Sequence, residues 1–226
     1  ALPNLDGTFT CTLFFPMKGE NSFEILKTEK DVNLFFEKNC SDLLPLIPNI
    51  SEQYFNNPVS PLGIIRCSTW KKNNFILIGD SCHATVPFYG QGMNCGFEDC
   101  NLIVDVFDKT FNTNNFTNSI EKFLIKRKIN TDAMQDLSMH NFIVMRDKTG
   151  DKTFLLQKKI EALFAMKHPS KWIPLYSMVT FSHIDYNEAL EIGVKQEKIM
   201  KKIMQMDNIE SIWNGQEVER KILSFL

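Results

Sequence analysis

A short apolar run that halts at a Gly-Asp pair constrains this chain more than any other feature: residues 75–80 read Phe-Ile-Leu-Ile-Gly-Asp. Four consecutive apolar residues without polar alternation predict a strand buried on both faces. Further on the chain reads Pro87-Phe88-Tyr89-Gly90-Gln91-Gly92-Met93-Asn94, and a helical pattern takes over from there. A strand, a carboxylate at its end and a glycine-rich turn opening a helix together form a grip. Its ligand would be rich in hydroxyls, phosphate or delocalised electrons. Asp80 can accept from hydroxyls, and the glycines admit backbone N–H groups at close range. The helix N-terminus adds unpaired N–H groups and positive potential. Taken alone, Asp80 also reads as a turn or helix cap, and the Gly90–Gly92 segment as an ordinary turn.

Before the apolar run, Asp6-Gly7 reads as a turn and Thr8–Phe15 as a strand alternating Thr with large apolar residues. Thr28 and Asp31 have the spacing of a capping box, with Val32, Leu34, Phe35 and Phe36 as the buried side of a helix. Ser51 is a candidate cap for a short helix through Phe55. Leu62–Cys67 and Phe75–Ile78 read as strands separated by a solvated turn at Lys71–Asn74. Helices are expected over Met93–Asp108, Thr117–Arg146 (long enough to suggest a kink), Phe154–Met166, Ile173–Phe181, Tyr186–Met206 and Ser211–Phe225. The expected fold class is α+β or α/β, with a mixed sheet early and an all-helical region late. The expected domain division is 1–70, 71–148 and 149–226.

Several classes of function are disfavoured. A net charge of −2 gives no electrostatic reason to expect nucleic acid or an anionic membrane as partner. No apolar window approaches the roughly 20 residues of a membrane span. The six cysteines contain no C-x-x-C pair and the four histidines do not cluster with them, so no metal site is expected. They read as free thiols in a reducing, cytoplasmic setting, and no secretory signal is evident. Ser81-Cys82-His83 is not a hydrolase triad, because nucleophile, base and orienting group come from separate segments; His83 is expected to be structural and bonded to backbone. Gly150-Asp151-Lys152-Thr153 lacks the phosphate-loop frame, and a G-x-G-x-x-G fingerprint is absent. The lysines around Lys195–Lys202 read as a solvated helix face. Nineteen Phe against four Tyr and three Trp suit either a Phe-rich core or apolar packing around a flat ligand.

The block Gly79–Cys100, GDSCHATVPFYGQGMNCGFEDC, resembles the second FAD-contacting motif of the aromatic-hydroxylase flavoproteins. Three more segments resemble the same family in the same order: LPNLDGTFTCTLFFP from Leu2, DLSMHNFIVMRD over Asp136–Asp147, and IPLYSMVTFS over Ile173–Ser182. Together these blocks cover roughly residues 1–190, and their wording is nearest to the members that act on L-kynurenine. The resemblance implies part of an FAD-dependent hydroxylase: a Rossmann-like FAD domain and a substrate sheet, followed by a C-terminal helical region. It implies FAD as cofactor, with NADPH and O2 as co-substrates. The aromatic amino acid L-kynurenine would be hydroxylated to 3-hydroxykynurenine, a step of tryptophan catabolism toward NAD. The partner implied is the N-terminal half of the same enzyme, which carries the ADP-binding segment and a substrate-pairing Arg. A related hydroxylase with another aromatic substrate, or a non-catalytic helical interaction fragment, are the alternatives.

Residue roles follow from that resemblance. Gly79, Asp80, Pro87, Gly90, Gln91, Gly92, Met93 and Asn94 are the expected cofactor contacts, with Asp80 on a ribityl hydroxyl and the helix N-terminus beside the flavin pyrimidine ring. Thr12, Phe14, Phe88, Tyr89, Asn141 and Tyr176 are the expected substrate contacts; Phe14 reads equally as sheet core, and Asn141 and Tyr176 as polar groups in helix packing. No side chain is assigned as a catalytic acid or base. The protein's expected work is orientation, exclusion of water and stabilisation of the flavin.

Overall fold

In the computed structural model, which describes all residues 1–226, Thr28 caps its helix as the spacing to Asp31 requires. Thr28 Oγ1 accepts from the Asp31 N–H at 3.2 Å, and the Asp31 carboxylate accepts from the Thr28 N–H at 2.9 Å. Two of the orphan donors at the helix start are thereby satisfied. This helix, α1 (Glu29–Asn39), belongs to the first of two compact units, residues 1–62. Strands β1 (Leu2–Pro3) and β2 (Phe9–Thr10) pair antiparallel around Gly7, whose φ of +82° only glycine adopts without strain. The expected strand Thr8–Phe15 thus shrinks to two residues. Thr10 pairs with Leu2 at the outer end of this ladder, and Cys11–Phe15 have no partner strand. Phe15 instead packs its ring on Phe35 of α1 at 5.0 Å. Helix α2 (Ile50–Asn56) starts after Asn49, so Ser51 lies inside it and is not its cap.

The second unit, residues 63–226, holds the glycine-rich segment. Strands β3 (Lys71–Lys72) and β4 (Phe75–Ile76) form an antiparallel hairpin with Asn73 at φ +52° in the turn. Leu62–Cys67 is not a strand. It runs extended beside residues 82–84, with the Ile65 and Cys67 N–H groups donating to the Ala84 and Cys82 carbonyls, each at 3.1 Å. The doubly buried strand expected at Phe75–Ile78 is overturned as well. Phe75 is 79% exposed and Ile78 37%, because the run pairs on one side only, with β3 and through Leu77 N–H to the Trp70 carbonyl. The two hairpins are the only sheets, so the fold is mainly helical.

The remaining elements are α3 (Asp80–His83), α4 (Gly92–Thr110), α5 (Phe116–Asp147), α6 (Lys152–Lys167), α7 (Leu175–Phe181), α8 (Tyr186–Ile203), α9 (Ile209–Ile212) and α10 (Gln216–Leu223). The expected C-terminal helix is two helices, interrupted before Gly215, and α5 runs its 32 residues without a break. Asp151 caps α6 by accepting from the Thr153 and Phe154 N–H groups. One core joins Ala133, Met134 and Leu137 of α5 to Met178 and Val179 of α7 and Ala189 of α8. Truncating Leu137 to Ala there should cost about 2–5 kcal/mol. A second core gathers Ile160, Phe164, Trp172, Met200, Ile203, Val218 and Ile222. Within the second compact unit, residues 63–226, α5 and α8 lie against each other across residue 148.

Candidate functional site

The turn that ends the hairpin is built by glycine. Gly79 has φ +61° and ψ −144°, a conformation closed to side-chain-bearing residues. A Cβ on Gly96, in the second turn of α4, would lie 3.7 Å from the Gly79 Cα, so the two glycines let turn and helix approach closely. Gly90, at φ +66°, returns the chain into the start of α4. Between these features opens a cleft of about 560 Å³ lined by Ile78, Gly79, Asp80, Thr85, Pro87, Gly90, Gly92, Met93, Gly96, Phe97 and Cys100. Six of the eight expected cofactor contacts line it: Gly79, Asp80, Pro87, Gly90, Gly92 and Met93. Gln91 and Asn94 do not. The Gln91 amide is buried, donates to the Tyr89 carbonyl at 3.2 Å and accepts from Asn94 Nδ2 at 3.2 Å.

The cleft suits a hydroxyl-rich, flat ligand on its own chemistry. Asp80 is solvent-exposed, and its carboxylate enters no ion pair or side-chain hydrogen bond, so its acceptors are available. The Thr85 hydroxyl is buried and has no partner, although Thr85 lines the same cleft. Met93 and Phe97 offer exposed apolar surface from the first turns of α4. Thr85 was missed at the sequence level because a lone Thr before a loop carries no periodic or motif signal. Phe97 is the only Phe of the lining. The aromatic surplus packs elsewhere, as in the Phe107, Phe111 and Phe116 cluster.

Four of the six expected substrate contacts lie along one stretch of the second unit. Tyr89 and Tyr176 stack with centroids 5.5 Å apart, and Phe88 and Phe142 pack at 4.8 Å. Asn141 Nδ2 donates to the Phe88 carbonyl at 2.7 Å, so α5 holds the loop that presents Phe88 and Tyr89. Burial first, then the neighbouring Tyr176, push the Tyr89 phenol up to about 12, which leaves it a neutral hydrogen-bonding group. Thr12 and Phe14 belong to the first unit, in an exposed segment outside β2.

A buried ionic cluster stands behind the cleft, and the sequence did not announce it. Asp99, fully buried on α4, accepts from the Gly79 N–H at 2.8 Å, from His83 Nε2 at 2.6 Å and from Arg127 Nε at 2.6 Å. Arg127, on α5, also donates to the Cys95 carbonyl at 2.9 Å and pairs with Glu98 at 2.8 Å. Burial raises the Asp99 carboxyl, but the bonds from His83, Arg127 and Gly79 outweigh it and hold the group below its ordinary value. His83 is therefore structural, but its partner is a carboxylate where backbone was expected. His83, Cys95 and Asp99 bring potential ligand atoms within 4.8 Å of one another. The Arg127 guanidinium occupies that space, donating to Asp99 and to Cys95 Sγ, and a metal cation beside it would be repelled. The signal for this cluster was present only as spacing: Asp99 and Cys95 are four apart on one helix face.

Comparison with known proteins agrees with the geometry. A family described as "FAD binding domain" matches residues 52–110. Curated proteins named kynurenine 3-monooxygenase are similar over most or all of this chain. That of Flavobacterium johnsoniae is 52% identical over 227 residues, covering 100% of this chain and 50% of the relative. That of Christiangramia forsetii is 48% identical over 234 residues with the same coverage. That of Sus scrofa is 43% identical over 203 residues, covering 88% of this chain and 42% of the relative. The chain spans about half the length of the curated relatives it matches, and corresponds to their C-terminal half.

Proposed function

We propose that this chain is the C-terminal part of an FAD-dependent monooxygenase of the kynurenine 3-monooxygenase type, which hydroxylates L-kynurenine to 3-hydroxykynurenine with NADPH and O2. One observation carries the reading: the cleft beside Gly79 and Asp80 opens between the end of the hairpin and the N-terminus of α4, where six of the expected FAD contacts meet. In this reading Asp80 accepts from a ribityl hydroxyl and Thr85 supplies a further polar contact. The first N–H groups of α4, at Gly92 and Met93, face the electron-rich edge of the ring system. Bound FAD supplies the redox chemistry that activates O2. The chain's residues bind, orient and shield. Phe88, Tyr89, Asn141 and Tyr176 form the substrate-facing stretch of the second unit. Asn141 and Tyr176 are neutral, so a charged partner for the amino-acid tail is supplied by the N-terminal half of the enzyme.

That half also completes the Rossmann-like FAD domain in this proposal. Phe75 and Leu77, exposed apolar residues on the same run as the cleft-lining Ile78, support it, since apolar surface left open beside a site is suited to a covering partner. No helix of the chain is long and apolar enough to cross a membrane, and free cysteines throughout accord with a cytoplasmic setting. The test is steady-state turnover by the full-length enzyme. Stoichiometric yellow flavin and NADPH-dependent formation of 3-hydroxykynurenine are expected; turnover of simple phenols with none of L-kynurenine would remove the substrate assignment.

A further inference from the structure

Asp99 and Arg127 touch both walls of the cleft without lining it. Through Asp99 the pair takes the Gly79 N–H, one residue before Asp80; through Arg127 it takes the Cys95 carbonyl, one turn into α4. The turn carrying Asp80 and the helix end carrying Gly92 and Met93 are thus tied to one carboxylate–guanidinium pair, closed by bonds of 2.6 Å on either side of Asp99. We infer that Asp99 is a positioning residue for the cofactor grip: clamped between Arg127 and His83, it fixes the Gly79 turn and so the direction in which Asp80 faces the helix N-terminus. The inference rests on the flavin reading above.

Three observations support it. Gly79 sits in a conformation that a free glycine leaves readily, because glycine surrenders more backbone entropy on ordering than any other residue. A buried acceptor on its N–H removes that freedom. A buried ion pair is also a poor way merely to fill space, since apolar residues of similar volume serve stability as well or better. Finally, Arg127 donates from Nε to Asp99 and from Nη2 to the Cys95 carbonyl and pairs ionically with Glu98, a planar fork that reports orientation as well as charge. The His83 ring, packed 5.2 Å from Trp70, closes the far side of the carboxylate.

The experiment uses the full-length protein, with FAD itself as probe, and reads flavin-fluorescence titration together with local hydrogen exchange in the absence of FAD. Asp99→Asn presents an amide that cannot accept from Gly79 and His83 while also accepting from Arg127. It should weaken FAD binding by about tenfold or more and speed exchange across residues 77–83, leaving α8 and α10 at wild-type rates. Arg127→Lys keeps the charge but loses the fork, and should show the same pattern in weaker form. Wild-type FAD affinity and wild-type exchange at 77–83 in Asp99→Asn would overturn the inference. So would exchange raised throughout α8 and α10, which would make the cluster a general support of the fold. If the wild-type protein itself binds no FAD, the flavin reading falls, while the exchange at 77–83 still decides whether Asp99 holds the turn.

Discussion

Tyr89 and Tyr176 stack at 5.5 Å and 25°, joining the loop before α4 to the start of α7. Tyr89 is buried and Tyr176 half-exposed, so one ring is the wall and the other the part that meets solvent or ligand. Tyr176→Phe keeps the ring and removes only the hydroxyl. The expected outcome is a raised KM for L-kynurenine with an unchanged melting temperature. Tyr176→Ala also removes the stack, worth about 0.5–1.5 kcal/mol, and should lower stability too. An unaltered KM in Tyr176→Phe would remove the hydroxyl from the substrate site.

Asp80 separates binding from folding in the opposite way. It lines the cleft and enters no ion pair, so the fold asks nothing of its carboxylate. Asp80→Ala should leave the apo-protein's unfolding free energy within about 0.5 kcal/mol of wild type, as for a surface change. FAD affinity, read by fluorescence titration, should fall severalfold. Equal affinity in the two proteins would take Asp80 out of the grip.

The helices and the motif were legible in the sequence for a physical reason: both are written locally. The capping box at Thr28 and the helical runs of α4 through α8 are set by residues within a turn or two of each other. Phe75–Ile78 was misjudged because an apolar run states only that its side chains want burial, not which part of the chain provides it. The Asp99 cluster was illegible for the complementary reason. Its members Gly79, His83, Asp99 and Arg127 are brought together by packing of α3, α4 and α5, and a buried ion pair reads in sequence like any surface charge.

The same cluster fixes a pH dependence. Because Asp99's bonds hold its carboxyl below the ordinary value, the folded state favours the ionised form more than the unfolded chain does. That stability is present above the unfolded carboxylate value of about 4 and is lost as pH falls through the lower folded value. Urea midpoints measured from pH 6 down to pH 3 should fall for the wild type. Asp99→Asn should start lower and decline less steeply. Parallel declines in the two proteins would show that Asp99 is not the titrating group.

Gly193 on α8 faces Leu175 so closely that a Cβ there would lie 2.8 Å from Leu175 Cδ2. Leu175 begins α7 and is followed by Tyr176, so pressure on it passes to the stacked pair. In a helix interior Gly→Ala normally stabilises by roughly 0.5–1 kcal/mol; here the overlap should reverse the sign, with overpacking of about 1–3 kcal/mol. Gly193→Ala should lower the melting temperature and raise the KM for L-kynurenine while leaving FAD affinity unchanged. A stabilised variant with normal KM would mean that Leu175 moves aside freely.

The thiols offer a direct map of the cleft. Burial pushes Cys82 and Cys95 up to about 12, so neither supplies thiolate near pH 8, whereas Cys100 is exposed and lines the cleft. In the native full-length protein iodoacetamide should modify Cys100, while Cys82 and Cys95 stay silent until denaturant is added. Saturating FAD should slow the Cys100 reaction severalfold, because a ligand held between Asp80 and the N-terminus of α4 covers that wall. Peptide mapping after timed labelling reads all three sites at once. Cys100 labelled equally fast with and without bound FAD would place the flavin outside this cleft, whatever the enzyme turns over.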